Sequence, residues 1–370
     1  IGQKNVKRAN EYARQVLFII TAISVVISLI CLVFQKPMLR LIFGSVEAEV
    51  MRASEIYFFY TALSFPFIAA YDSAASIFRA QDNTKGPMLI SMISNVMNIA
   101  GNAMLIWGFH MGVAGAALAT LISRVFCAVV VLAQLRQDRQ PIVVRDYLKI
   151  RPDFQMIRRI LSIGIPSGVE NSMFQLGKIA VLSLVSGLGT ASLAANAVGN
   201  NIANFAILPG MSFGFALLTV CAQCVGAGDF EQGKYYTKHM LRVEYLCLIA
   251  SNLIVILALP FILSVYNLSD EAARYANDII LYHAACVVTI WPLSFTLPNT
   301  LRAAADVKIT MVLSIISMWV FRFGFSYLLT MVFHMGIFGV WVAMTIDWLV
   351  RGIFFVCRYR SGRWQKIIFS

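Results

Sequence analysis

An all-α polytopic membrane fold, built as two pseudo-symmetric helical bundles in a parallel repeat, is predicted by three features of the sequence. The 370 residues are 59% hydrophobic and 13% charged with a mean hydropathy of +0.75, outside the range of water-soluble domains. Apolar stretches of bilayer-spanning length, about 20 residues each, recur along the whole chain. The second half also repeats the first at a nearly constant offset.

Taken in order, the predicted spans are 16–34, 56–78, 88–107, 113–135, 160–188, 193–225, 243–265, 279–301, 310–332 and 337–357. Basic residues alternate from loop to loop between them. Lys4, Lys7, Arg8 and Arg14 precede the first span, and Arg79 and Lys85 follow the second. Arg136, Arg139, Arg145, Lys149, Arg151, Arg158 and Arg159 follow the fourth; Lys234, Lys238 and Arg242, then Arg302 and Lys308, then Arg358, Arg360, Arg363 and Lys366 continue the same side. The other loops are nearly bare of positive charge. The net charge of +12 is thus an orientation signal, not a nucleic-acid footprint, and it places both ends of this chain in the cytoplasm of a multi-pass plasma-membrane protein. Seven scattered cysteines imply no disulfide framework, and the Cys221–Cys224 pair reads as helix packing.

The repeat organises the chain. VGAGDFEQGKYY at Val225 matches IGQKNVKRANEY at Ile1, and FHMGIFGVWVAMTI at Phe333 matches FHMGVAGAALATLI at Phe109, both 224 residues apart. LRAAADVK at Leu301 matches FRAQDNTK at Phe78, 223 residues apart. By that offset, residues 153–224 have no counterpart, so about 72 residues holding two helices are expected ahead of Ile1: 6+6 helices in the full protein and about 4+6 here. The expected domains are an N-terminal lobe at 1–136, a cytoplasmic linker and amphipathic helix at 137–159, and a C-terminal lobe at 160–370.

Within that frame a few polar residues stand at membrane depth. Glu170 lies inside the fifth span, four residues after Pro166, with Asn171, Gln175 and Lys178 following. An ionised acid there costs roughly 2.5 to 3.5 kcal/mol, so it holds a cation, a proton or a partner charge, Lys178 being one such partner. Asp72 is seven residues short of Arg79, about 10 Å deep along a helix, and is either a second coupling acid or a hydrogen-bonded structural one. Asn196, Asn200 and Asn204 form one face of the sixth span and are expected to line a wet cavity; Asn95, Asn98 and Asn102 on the third are expected to bind helices together. Arg124, Arg322 and Asp347 read as structural charges, the last two as an interhelical pair. His283 and Trp291 either touch a ligand or pack. Catalytic motifs and an ATP-binding loop are lacking, so the chain is not read as an enzyme, and any pumping uses an ion gradient.

FRAQDNTKGPMLISMISNVMNIAGNAMLIWGF at Phe78, GVAGAALATLISR at Gly112, SIGIPSGVENSMF at Ser162 and LPGMSFGFALLTVCAQCVGAGDFEQGK at Leu208 together resemble the multidrug and toxic compound extrusion (MATE) transporters. The resemblance extends over the entire chain. It implies two six-helix lobes facing one another in a V, and export of amphipathic, often cationic, compounds against H+ or Na+ by alternating access, with no cofactor beyond the coupling ion. Glu170 matches the acid that many members use for coupling, which makes Na+ at Glu170 one option. An acid that some sodium-coupled members carry in the eighth span is absent from 279–301. The expected coupling acids are Glu170 and Asp72. The expected cavity residues are Asn171, Gln175, Lys178, Asn196, Asn200, Asn204 and Trp291, in a monomer whose partners are the bilayer and small molecules. A lipid-linked oligosaccharide flippase of the same superfamily is the alternative, and it would be expected to carry several basic residues in its cavity.

Overall fold

The computed structural model describes residues 1–44, 47–137, 140–145, 147 and 151–369. The described residues form helices joined by short turns: α1 (Val6–Val33), α2 (Gln35–Phe43), α3 (Ala48–Ala80), α4 (Lys85–Ala103), α5 (Gly112–Leu135), α6 (Phe154–Ser186), α7 (Thr190–Ala227), α8 (Phe230–Val265), α9 (Asp270–Trp291), α10 (Pro298–Ala303), α11 (Val307–Ile316), α12 (Phe325–Tyr327) and α13 (Gly336–Arg360). π-helical turns extend α4 (Met104–Gly108), join α9 to α10 (Pro292–Thr296) and flank α12 (Ser317–Gly324 and Leu328–Val332), so α9–α10 and α11–α12 each run on as one long rod.

Eight rods are long and apolar enough to cross a membrane. The 33-residue helices α3 and α6 have the length as well, about 50 Å at 1.5 Å per residue. They are not among those eight; they carry Asp72 and Glu170, and each contains an internal proline, Pro66 and Pro166. Eight of the ten spans read from the sequence fall on these apolar rods and the other two on α3 and α6.

The chain divides into two compact units, 1–160 with Gly2 excepted and 161–370, the division falling inside α6. In the first, α3 packs on α1 and α5, and α4 packs on α5. Its core holds Leu17, Ile77, Phe78, Ile90, Val131 and Leu135. The asparagine row ties α4 to α5: Asn98 Nδ2 donates to Thr120 Oγ1 at 3.3 Å, and Asn102 Nδ2 donates to Asn98 Oδ1 at 3.1 Å. In the second unit α7 packs against α8 and α9, and α13 against α9, around Ile202, Leu248, Ile279, Val287, Trp341 and Trp348. Cys221 is packed against Thr237 and Thr300, as helix packing requires.

The repeat is written into the backbone of both units. His110 and His334 stand at φ 53° and 52°, Gly112 and Gly336 at 53° and 57°, and Asp82 and Ala305 at 62° and 60°. Asn5 and Asp229, 224 residues apart, each accept from a backbone N–H three residues on, that of Arg8 or Gln232. The π turns at Met104–Gly108 and Leu328–Val332 show the same offset. A Cβ added to Gly115 would meet Leu105 at 3.0 Å and one added to Gly339 would meet Leu329 at 3.1 Å, so each turn is closed by the same glycine approach.

The segment between the repeats is strapped to the first unit. Gln15 donates to the Arg151 carbonyl at 2.7 Å, and Asn10 accepts from the Val143 N–H at 2.9 Å. The Tyr147 hydroxyl donates to the Leu132 carbonyl at 2.6 Å, and burial pushes its phenol up to about 12, so it stays protonated at physiological pH. Arg139 and Lys149 of the predicted basic linker lie outside the described residues. The linker's end, from Pro152, is expected to be an amphipathic helix entering the fifth span, and in the structure one helix runs from Phe154 into that span. Asp153 caps Phe154–Ser186 by accepting from Gln155 and Met156, and the helix passes through Pro166 without stopping.

Candidate functional site

A cavity of about 420 Å³ opens inside the second unit, between α6 and the helices that follow it. At one end α6 enters the core through Val181 and Val185. Further along it is tied by Glu170, which is 6% exposed. Glu170 Oε1 accepts from Arg302 Nη2 at 2.6 Å and from Ser314 Oγ at 2.7 Å. One carboxylate therefore links α6 to α10 and α11. The network extends further, since Arg302 Nη1 donates to Asn299 Oδ1 at 3.0 Å and Arg351 Nη2 to Ser314 Oγ at 3.1 Å.

The predicted Asn171, Gln175, Lys178, Asn200, Asn204 and Trp291 are brought together with Glu170 on the wall of this cavity. Asn196 is not on that wall. It is buried and its Oδ1 accepts from Trp341 Nε1 at 3.2 Å, because α7 turns that residue toward α13. Asp72 is not among the lining residues; it is exposed on α3 in the first unit. Arg322 and Asp347 do not form the expected pair; no ion pair within 4.0 Å joins them, and the Asp347 carboxylate accepts instead from Ser317 Oγ. His283 lines the cavity between Trp341 and Trp348, with both ring centroids 5.4 Å away.

The sequence reading missed what gives this wall its charge. Arg302, Arg322 and Arg351 line the cavity together with Lys178, against the single lining acid Glu170. Lys178, Arg322 and Arg351 stand 5.2, 5.6 and 5.7 Å from the centroid of the Phe174 ring. Such cation–π contacts offset part of the cost of holding charge away from water. Arg302 reads as a cytoplasmic loop charge because it follows the eighth span, and Arg351, inside the span 337–357, is not singled out. The signal for Arg351 was its place four residues after Asp347 within an apolar helix.

This arrangement suits binding. Among the described residues there is no cluster of His, Cys, Asp and Glu side chains that could hold a metal ion. A Na+ at Glu170 would have to displace the Arg302 guanidinium. Two unit charges 8 Å apart interact by about 2 kcal/mol at an effective dielectric constant of ~20, so the excess of cations on the wall sets a field that a charged solute feels strongly.

Comparison with known proteins gives this cavity its setting. The MatE family model matches residues 1–104 and 166–328. The chain belongs to the MatE family. It is a multi-pass membrane transporter by that membership, with the all-α fold described above. A probable multidrug resistance protein, YoeA of Bacillus subtilis (strain 168), is 28% identical over 99% of this MatE chain and 79% of its own length. An outward-facing structure of a multidrug resistance MATE family transporter of the MOP superfamily matches with a TM-score of 0.90 and 18% identity, covering 99% of this chain and 81% of the other. A MOP superfamily transporter from Pyrococcus furiosus Vc1 (DSM3638), described as having a reverse polarity of binding pocket that suggests a different function, matches at 0.89 and 19% identity, again over 99% and 81%. At these identities the two structures speak for the fold of the MatE chain alone.

Proposed function

We propose that this protein is an ion-coupled antiporter that exports amphipathic organic compounds by alternating access, with H+ or Na+ acting at Glu170. The observation that carries the reading is the Glu170–Arg302–Ser314 junction, a buried carboxylate in a cavity wall tying three helices together. Arg302 already neutralises the acid, so the substrate is not its direct counter-ion. The coupling ion acts on the tie: a proton or Na+ on Glu170 weakens its hold on Arg302, and ion and substrate favour different arrangements of α6, α10 and α11. The multidrug resistance names of relatives such as YoeA support export of varied compounds, and the mixed aromatic and amide wall, with Phe174, Trp291, Asn200 and Asn204, suits that range. The alternating basic loops support a plasma-membrane orientation with both ends of this chain in the cytoplasm.

Asp72 remains a candidate second acid in the first unit. The basic wall favours one further reading, a lipid-linked oligosaccharide flippase of the same superfamily, in which Lys178, Arg322 and Arg351 would face a diphosphate. The purified protein in vesicles, loaded with fluorescent dye and given a proton or a sodium gradient separately, tests the proposal. Dye movement driven by one gradient is expected; no movement with either would remove the antiport reading and leave the flippase in its place.

A further inference from the structure

We propose that the compounds taken up by this cavity are amphipathic organic anions, their acidic head held by Lys178, Arg322 and Arg351 and their apolar body set against the aromatic wall. The inference rests on reading the cavity as the transport site, and it replaces the cationic substrate expected from the sequence. In that expectation a free, ionised Glu170 attracts a positive drug; in the structure Glu170 is occupied by Arg302 at 2.6 Å.

Three observations point to a negative ligand. First, the charges facing the cavity are Lys178, Arg302, Arg322 and Arg351 against Glu170, and only Arg302 is in an ion pair with that acid. Two further acids, Asp347 and Glu244, are fully buried behind the wall; Asp347 accepts from Ser317 Oγ and Glu244 Oε1 from Thr296 Oγ1 at 2.7 Å, and neither has an ion pair among the described residues, so the four cations outnumber the three acids. Second, the three remaining cations converge from α6, the π turn Ser317–Gly324 and α13 onto the single ring of Phe174. Third, their donors are not used up. Arg351, 3% exposed, has Nε and Nη1 buried without a hydrogen-bond partner, and Arg322 has Nε in the same state. Buried guanidinium donors left unpartnered are costly, and a carboxylate, sulfonate or phosphate accepts from several of them at once.

The rest of the wall fits the body of such a molecule. Trp291 and Phe295 stack with centroids 5.1 Å apart, Trp348 meets Phe295 edge-on at 5.8 Å, and Asn200 and Asn204 add amides. A head bound by Lys178, Arg322 and Arg351 leaves the Glu170–Arg302 pair in place, so the anion does not take over the group on which the coupling ion acts.

Binding of carboxyfluorescein, an aromatic anion, and of ethidium, an aromatic cation, to the purified protein in detergent is measured by fluorescence anisotropy. Carboxyfluorescein is expected to bind more tightly than ethidium. Lys178→Glu should weaken carboxyfluorescein at least tenfold and tighten ethidium, and Arg322→Gln should weaken carboxyfluorescein alone. Lys178 is exposed to the cavity, so its replacement keeps the test valid if the Arg322 variant does not fold. Tighter binding of ethidium by the unmodified protein overturns the inference, as does no binding of carboxyfluorescein or unchanged binding in Lys178→Glu. Gradient-driven ethidium transport with no carboxyfluorescein binding would sink this inference and spare antiport. Carboxyfluorescein binding with no gradient-driven movement of either dye would do the reverse.

Discussion

At the residue scale the central object is the pair between Glu170 and Arg302, whose side chains are 7% and 23% exposed. Removing one partner of such a pair strands the other charge, at a cost on the order of 3 to 5 kcal/mol for a fully buried site and less here, where Arg302 keeps some exposure. Arg302→Gln is therefore expected to lower thermal stability in detergent, and the double variant with Glu170→Gln to recover most of that loss, a coupling that a double-mutant cycle reads directly. Additive losses would show that the two side chains are energetically independent. A second residue-scale prediction concerns Gly210 on α7. A Cβ there would lie 2.3 Å from Trp291 Cζ3, part of a rigid indole, whereas one on Gly233 of α8 would meet only Cys224 Cβ, at an ordinary 3.6 Å. Gly210→Ala should cost about 1 to 3 kcal/mol, visible as a lower melting temperature, and Gly233→Ala clearly less. Equal melting of the two variants would contradict the rigid Trp291 contact. Glu170, Lys178 and Trp291 were legible because each stands out against an apolar span. Arg302 was hidden by its place at a helix end, where basic residues are ordinary, and Asn196 by a periodicity that does not say which neighbour a helix face meets.

At the element scale α6 decides how the cavity behaves. It carries Glu170, Asn171, Phe174, Gln175 and Lys178 on the cavity side and bears Pro166 one turn before the acid. Proline supplies no N–H to the carbonyl four residues back, so the helix is weakest next to its functional charge. Pro166→Ala restores one backbone donor and is expected to stabilise the protein by about 1 kcal/mol, while slowing transport if α6 bends there in each cycle. Measured melting and initial rates of dye movement check both parts, and a variant that is more stable and equally fast would place the bending elsewhere. The element order and the repeat were legible, because sequence identity in the two FHMG segments fixes the same turn at His110 and His334. The π turns were not. An i→i+5 turn uses the same apolar residues as an α-helix, and neither composition nor spacing distinguishes them.

At the scale of the whole molecule the chain presents two units with matching backbone detail and different interiors. Polar residues of the first form structural bonds such as Asn98 to Thr120 and Arg124 to Ser64, and a set of those in the second lines the cavity around Glu170. Where the repeat places Cys127 in the first unit the second has Arg351, and where it places Phe295 in the second the first has Asp72. The most direct test of the account is dye transport by the protein in vesicles, with Glu170→Gln compared with the unmodified protein in two modes, gradient-driven accumulation and gradient-free exchange. The variant is expected to lose accumulation and keep exchange: it is less stable, because Arg302 loses its counter-charge, but the glutamine amide oxygen can still accept from Arg302 and Ser314 and hold the cavity, while the charge on which the ion acts is gone. Accumulation that still follows the imposed gradient in Glu170→Gln would contradict it and move the coupling site to another residue, with Asp72 the first to test.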